Sequence, residues 1–333
     1  MEHNMIKNQW YVVLESIEVK KGKPLGVTRM GEKLVFWRQA DGQVVCMRDQ
    51  CPHLGAALHQ GQVKNGQLAC PFHGFEFDSS GECRYLPAFG QNGKIPRAIK
   101  TFVYPAHEAH GYIWIYWSDH SETMPALPRF FDSFKQPGLS YISFQQHWPT
   151  HYSRMCENQL DMMHLPFVHA TTIGRGNHVV VDGPYVRLEE DLLNVWVYNR
   201  NDDGTPARRA EDMPEPTQHP SLEFRFPNLW HNWISEEVHI AVAFVPVDEE
   251  NSIFYGRFYQ GFMQIPLLRE AANLMGKYSS LVIANQDYRV VINQRPQRTD
   301  LKMGEKITQS DRAILTYREH RHELMQSAGQ IEG

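Results

Sequence analysis

Two short stretches of the chain, Cys51-Pro52-His53 and Cys70-Pro71-Phe72-His73, each offer one thiolate and one imidazole within a few residues. Two cysteines and two histidines paired in this way match the needs of a [2Fe–2S] cluster of mixed ligation, in which the cysteines hold one iron and the histidines the other. Gly55 and Gly74, with Pro52 and Pro71, suit tight turns whose backbone N–H groups can point at the cluster sulfurs. The same four side chains could instead bind zinc. Zinc fingers, however, pair cysteine with cysteine and histidine with histidine on a short ββα unit. Here each loop mixes the two types among strand-like segments, which favours the cluster.

A second constellation lies further along. From Asn158 the chain reads Asn158-Gln159-Leu160-Asp161-Met162-Met163-His164-Leu165-Pro166-Phe167-Val168-His169, which places Asn158, Asp161, His164 and His169 in an otherwise apolar segment. Such polar groups are costly to bury without partners. On a helix Asp161 and His164, three apart, share a face, so the carboxylate reaches the ring. His169 does not share that face by ideal geometry, but Pro166 disturbs the turn and lets the two histidines converge. Two neutral imidazoles and one carboxylate, with positions left open, make the facial triad by which non-haem iron(II) binds O2. The carboxylate is placed at Asp287, in a helical-looking segment from about 266 to 294.

The elements around these groups fall into two kinds. From about residue 8 to 118 the chain reads as short β-strands, among them Trp10 to Val13, Lys33 to Trp37, Val44 to Met47 and Tyr112 to Trp117, with turn signals at Asp41-Gly42, Asn65-Gly66 and Ser80-Gly81. A proline-bearing connector over 120–138 leads to a larger mixed region. There 185–198, 221–226 and 238–245 read as strands of an antiparallel sheet, and 153–165, 266–294 and 309–327 as helices. The polar stretch 201–220 reads as a mobile loop. Trp148, Phe167, Trp230, His231, Trp233, Phe244 and Phe258 are candidate pocket residues.

The length of 333 residues allows about two domains, and eight tryptophans in a chain 42% hydrophobic supply cores. A net charge of −5, with no clustered Lys/Arg stretch, argues against nucleic acid as a partner. Apolar runs such as 240–247 are far short of the ~20 residues that span a membrane. The N-terminus lacks an apolar stretch and cleavage site, so the expected compartment is the cytoplasm. Of five cysteines, Cys46, Cys83 and Cys156 are left over, and a reducing compartment makes them free thiols. Gly174-Arg175-Gly176 is followed by Val179 where a third glycine of a dinucleotide fingerprint would stand, so electrons must come through a separate protein.

Taken together, the two Cys-His loops, the Asn-x2-Asp-x2-His-x4-His block and the late Asp287 resemble the oxygenase component of Rieske non-haem iron oxygenases over nearly the whole length. The chain is most similar to the vanillate O-demethylase and dicamba monooxygenase type. It departs from that type in having Gln286-Asp287 where Glu-Asp is usual. Ala56 and Phe72 stand where respiratory Rieske proteins have an extra disulfide, which implies a lower-potential cluster. The resemblance implies an α+β chain: an all-β Rieske domain over 1–119, the connector, and a helix-grip-like catalytic domain over 139–333. It implies one [2Fe–2S] cluster on Cys51, His53, Cys70 and His73, and one Fe(2+) on His164, His169 and Asp287. Electrons would come from NAD(P)H through a reductase or ferredoxin. A small aromatic or heterocyclic substrate would be hydroxylated or O- or N-demethylated with O2. It further implies a homotrimer in which Asp161 links His73 of a neighbouring subunit to His164. Two alternatives are an arene cis-dihydroxylating dioxygenase and a Rieske electron carrier with an inert C-terminal domain.

Overall fold

Residues 5–119 and 126–331 are described by the computed structural model. The chain divides into two units, Met1–Arg129 and Phe130–Gly333. Of the expected connector, 120–125 lies outside the described residues, and the part from Phe130 onward belongs to the second unit, with Phe130 and Phe131 buried.

The first unit is built from strands β1 (Gln9–Glu15), β2 (Leu25–Arg29), β3 (Glu32–Arg38), β4 (Val44–Arg48), β5 (Gln62–Lys64), β6 (Gln67–Ala69), β7 (Glu76–Phe77), β8 (Cys83–Tyr85), β9 (Val103–Tyr104), β10 (Ala106–Ala109) and β11 (Tyr112–Trp117). They form sheets ordered β1-β11-β10, β2-β3-β4-β9 and β5-β6-β7-β8. The turns fall where the dipeptides signal them. Asn65 and Gly66 both adopt positive φ between β5 and β6, the two-residue turn whose twist matches the flanking strands. Side chains alternate across each strand, so Val35 and Trp37 of β3 and Val45 and Met47 of β4 meet Leu68, Phe75 and Phe77 in one core. Cys51 and Cys70 belong to that same core.

The second unit contains β12 (Ser140–Trp148), α1 (Tyr152–Leu160), α2 (Leu165–Val168), β13 (Val180–Glu189), β14 (Leu192–Arg200), β15 (Leu222–Arg225), β16 (Leu229–Ser235), β17 (Val238–Pro246), β18 (Ser252–Gln260), α3 (Pro266–Val291) and α4 (Arg312–Ser327). Its seven strands form one antiparallel sheet in the order β12-β18-β17-β16-β15-β14-β13. Helices cover one face: Trp148 meets Tyr288 of α3 edge-on at 5.5 Å, and Phe224 meets Tyr317 of α4 at 5.2 Å. The approach of α3 to β18 needs a glycine, because a Cβ on Gly276 would lie 2.2 Å from the Phe258 ring. Phe131 and Phe134 pack on the opposite face, against His231, His239 and Tyr259.

One expectation needs correction. The strand expected over 185–198 is two strands, β13 and β14, which reverse at Glu190-Asp191, where Glu190 takes a positive φ. Apolar residues on both sides of that turn make the hairpin read as one run. The stretch 201–220, expected as a mobile loop, is bonded to the sheet at Thr205, Pro206 and Arg208. Asp182, 1% exposed, accepts from the Arg208 backbone N–H at 2.9 Å and from the Arg200 and Arg208 guanidinium groups. Arg200 also donates to the carbonyls of Thr205 and Pro206. A buried carboxylate needs such partners, and the arginines that supply them hold the segment down.

Candidate metal centres

The two Cys-His loops are the same turn built twice. In each, the cysteine N–H donates to the carbonyl five residues on (Ala56 at 2.8 Å, Phe75 at 2.8 Å), and the glycine N–H returns to the cysteine carbonyl (Gly55 at 2.9 Å, Gly74 at 3.1 Å). Gly55 and Gly74 have φ of +75° and +70°, which a side chain would strain. Within this shared frame the histidine is the third residue of one loop and the fourth of the other, and the two rings lie 4.8 Å apart. Cys51 and Cys70 are buried while His53 and His73 are exposed. The frame therefore presents a thiol pair on the inside and an imidazole pair at the surface, which is the division of ligands that a mixed [2Fe–2S] cluster requires. Burial pushes the Cys51 thiol up to about 11, against the pull of the His53 and Leu54 backbone N–H groups. Thiols in this setting become thiolates when a metal takes them. All five cysteines are free, and burial also raises Cys46, Cys83 and Cys156.

In the second unit, His164, His169 and Asp287 converge so that one ligand atom from each lies within 4.8 Å of the others. The local route differs from the helix expected over 153–165. Helix α1 ends at Leu160 and Asp161 is its C-terminal cap. The Asp161 side chain accepts from the Met163 N–H at 2.7 Å, a local bond that competes with helix continuation. Asp161 and His164 still meet, Oδ2 to Nδ1 at 3.6 Å, but across a turn rather than along a helix face. Pro166 does not disturb a running helix either. It sits in the first turn of α2, where no N–H is needed, and His164 and His169 flank that short helix. Their ring centroids are 5.1 Å apart.

Asp287 reaches them from α3. Its Oδ1 lies 3.1 Å from His169 Nε2 and 3.5 Å from His164 Nε2, yet neither approach is aligned as a hydrogen bond, and this buried oxygen has no donor. A buried carboxylate oxygen that has no donor and faces two ring nitrogens fits a cation, and the donor set is that of non-haem Fe(II). Burial disfavours a charge on His169, but Asp287 and the Gln286 amide outweigh it and raise its pKa. Asn158 is buried in the last turn of α1 with its Nδ2 unpaired, outside the converging three.

The candidate pocket residues divide. Cross-strand partners share a face, and Trp230 pairs with Val242 while His231 pairs with Ala241. Trp148, Trp230, Phe244 and Phe258 therefore lie on the helix-covered face. His231 and Trp233 lie on the other, the strand's period of two turning them away from the triad. Phe167 is 71% exposed. Two residues close to the triad escaped the sequence reading as contributors: Gln159, whose Nε2 donates to Asp287 Oδ2 at 3.2 Å, and Gln286, whose Oε1 accepts from His169 Nδ1 at 2.8 Å. Adjacency was the available signal, since each is next to a residue already singled out.

Residues 9–103 match the Rieske [2Fe-2S] domain, and residues 148–327, more than half of the chain, match the vanillate O-demethylase oxygenase C-terminal domain. The chain belongs to the vanillate O-demethylase type of Rieske non-haem iron oxygenases. It is 36% identical to the vanillate O-demethylase oxygenase subunit of Pseudomonas sp. (strain HR199 / DSM 7063) over 61% of this chain and 56% of that protein. It is 34% identical to the dicamba O-demethylase oxygenase component of Stenotrophomonas maltophilia over 49% and 48% of the two chains. The aligned part of this Rieske oxygenase chain spans about half or less of the length of such curated relatives. In fold it is similar to dicamba monooxygenase bound to dicamba, with a TM-score of 0.70 at 22% identity, covering 98% of this chain and 99% of that one. No helix among the described residues is long and apolar enough to cross a membrane.

Proposed function

We propose that this chain is the cytoplasmic terminal oxygenase of a multicomponent monooxygenase that removes an O- or N-methyl group from a small aromatic or heterocyclic compound. The single observation that carries this reading is the convergence of His164, His169 and the donorless Asp287 Oδ1 on the helix-covered side of the sheet. An electron carrier with an inert second domain has no use for such a triad.

Cys51, Cys70, His53 and His73 would hold the cluster, and His164, His169 and Asp287 the iron. The iron supplies activation of O2 when bound. Electrons would come from NAD(P)H through a reductase or ferredoxin. Two electrons and two protons reduce one oxygen atom to water while the other enters a methyl C–H bond, and the hydroxymethyl product releases formaldehyde. Of the candidate pocket residues on the helix-covered face, Trp148 and Phe244 are taken up in packing with Tyr288 and Phe254, which leaves Trp230 and Phe258 as the flat apolar groups for a planar substrate. The relatives' names favour demethylation over arene dihydroxylation. Asp161 is partly exposed, with one oxygen on the Met163 N–H and the other facing His164. It would deliver electrons from His73 of a neighbouring subunit in a homotrimer.

The test is a screen of methoxy- and N-methyl-arenes with a reductase and NADH, reading formaldehyde and peroxide, together with iron analysis. Formaldehyde and about three irons per chain support the reading. Two irons per chain and no product would leave an electron carrier, and a cis-diol product would assign a dioxygenase.

A further inference from the structure

Both the buried carboxylate and the buried imidazole of the triad are gripped from behind by neutral amides. His169 Nδ1 lies 2.8 Å from Gln286 Oε1, the same oxygen lies 2.8 Å from Thr172 Oγ1, and Gln286 Nε2 donates to Thr171 Oγ1 at 3.4 Å. This pattern turns the amide oxygen toward the ring. An amide oxygen only accepts, so the ring proton sits on Nδ1 and the Nε2 lone pair points to the Asp287 side. On the carboxylate, Gln159 Nε2 donates to Oδ2 at 3.2 Å and leaves Oδ1 as the oxygen that faces both imidazoles.

We propose that Gln286 and Gln159 are positioning residues of the iron site: Gln286 fixes His169 in its Nδ1–H tautomer, and Gln159 holds Asp287 to one-oxygen ligation. The proposal rests on the reading of His164, His169 and Asp287 as ligands. Hydrogen bonds behind metal ligands set tautomer and orientation, and losing one typically costs about 10–100-fold in metal affinity. One carboxylate oxygen kept out of the metal's sphere leaves one more position open for O2 or substrate.

Co(II) suits the test, because it takes the same donor types and its EPR signal is undisturbed by the oxidised, diamagnetic cluster. The mononuclear iron is removed with a chelator, the cluster is verified by its visible spectrum, and Co(II) is titrated in competition with a chromophoric chelator. Gln286→Leu is expected to weaken Co(II) binding by about 10–100-fold, and Gln286→Glu, which also accepts from Nδ1–H, to restore it. Gln159→Leu is expected to change the Co(II) EPR signal as the freed Oδ2 joins the metal. Unchanged affinity in Gln286→Leu, or equal losses in the Leu and Glu variants, overturns the role of Gln286. An unchanged EPR signal in Gln159→Leu overturns that of Gln159. Should Gln286→Leu not fold, Gln286→Ala against Gln286→Glu gives the same reading. His169→Ala separates the two levels: retained Co(II) affinity there removes the ligand reading itself, whereas its loss beside an unaffected Gln286→Leu removes only the positioning role.

Discussion

His169 Nε2 lies 3.1 Å from Asp287 Oδ1, although the chain between these two residues runs through β13, β14, β15, β16, β17 and β18 before it returns in α3. The proposed iron site therefore comes together only once that sheet has formed. His164, His169 and Asp287 all belong to the second unit. His164→Ala, His169→Ala and Asp287→Ala should each lose the mononuclear iron and turnover while keeping the visible spectrum of the cluster. Iron analysis with absorption spectroscopy checks this, and a variant that kept both iron and activity would move the ligand to another residue.

The converse holds in the first unit. Cys51→Ser or His73→Ala would remove one of the four proposed cluster ligands, so the visible absorption of the purified protein should vanish. The iron at the triad should remain. A wild-type cluster spectrum in either variant would refute the ligand assignment.

Asp161→Asn separates electron delivery from metal binding. Its shape is nearly preserved, but the negative charge that faces His164 Nδ1 at 3.6 Å is lost. Both metal sites should stay largely filled while cluster oxidation slows in single-turnover experiments on pre-reduced enzyme with substrate and O2. Unchanged cluster oxidation at full iron content would reduce Asp161 to a helix cap. A monomeric wild-type enzyme with full activity would remove the cross-subunit route.

Helix α1, which carries Asn158 and Gln159, is locked to α4 by charge. Arg318 grips both oxygens of Glu157 at 2.7 and 2.8 Å, and Glu305 bridges Arg318 and Arg154 at 2.7 Å each. Arg318→Leu leaves Glu157, 4% exposed, short of its main partner, and should cost about 3–5 kcal/mol in urea unfolding at neutral pH. Burial alone would raise the Glu305 carboxyl, but Arg154 and Arg318 outweigh it and hold it below the ordinary glutamate range. A depressed folded-state pKa contributes stability that is complete above the unfolded value of ~4.3 and is lost as pH falls through the folded one. The gap between wild type and Arg318→Leu should accordingly narrow in unfolding curves taken below about pH 4.

The sequence by itself determined the family and singled out the candidate ligands. Cys51, His53, Cys70 and His73 are legible because ligand types and turn residues lie within a few positions of one another, and the turns they form are local. His164 and His169 are legible for the same reason, as is the all-β character of the first unit, whose dipeptide turns fix strand ends without distant contacts. What crosses the sheet was decided only by tertiary structure. Nothing local distinguishes Asp287 from a solvated helix aspartate until α3 lies against β12 and β18. The reversal at Glu190-Asp191 and the end of α1 at Asp161 depend on single side-chain and backbone bonds that periodicity does not register. The assignment of Trp230 to one face and His231 to the other follows from strand register, in which a shift of one residue exchanges the faces. The grip of Gln159 and Gln286 on the triad needs partners more than a hundred residues away, brought within 3.2 Å and 2.8 Å by packing alone.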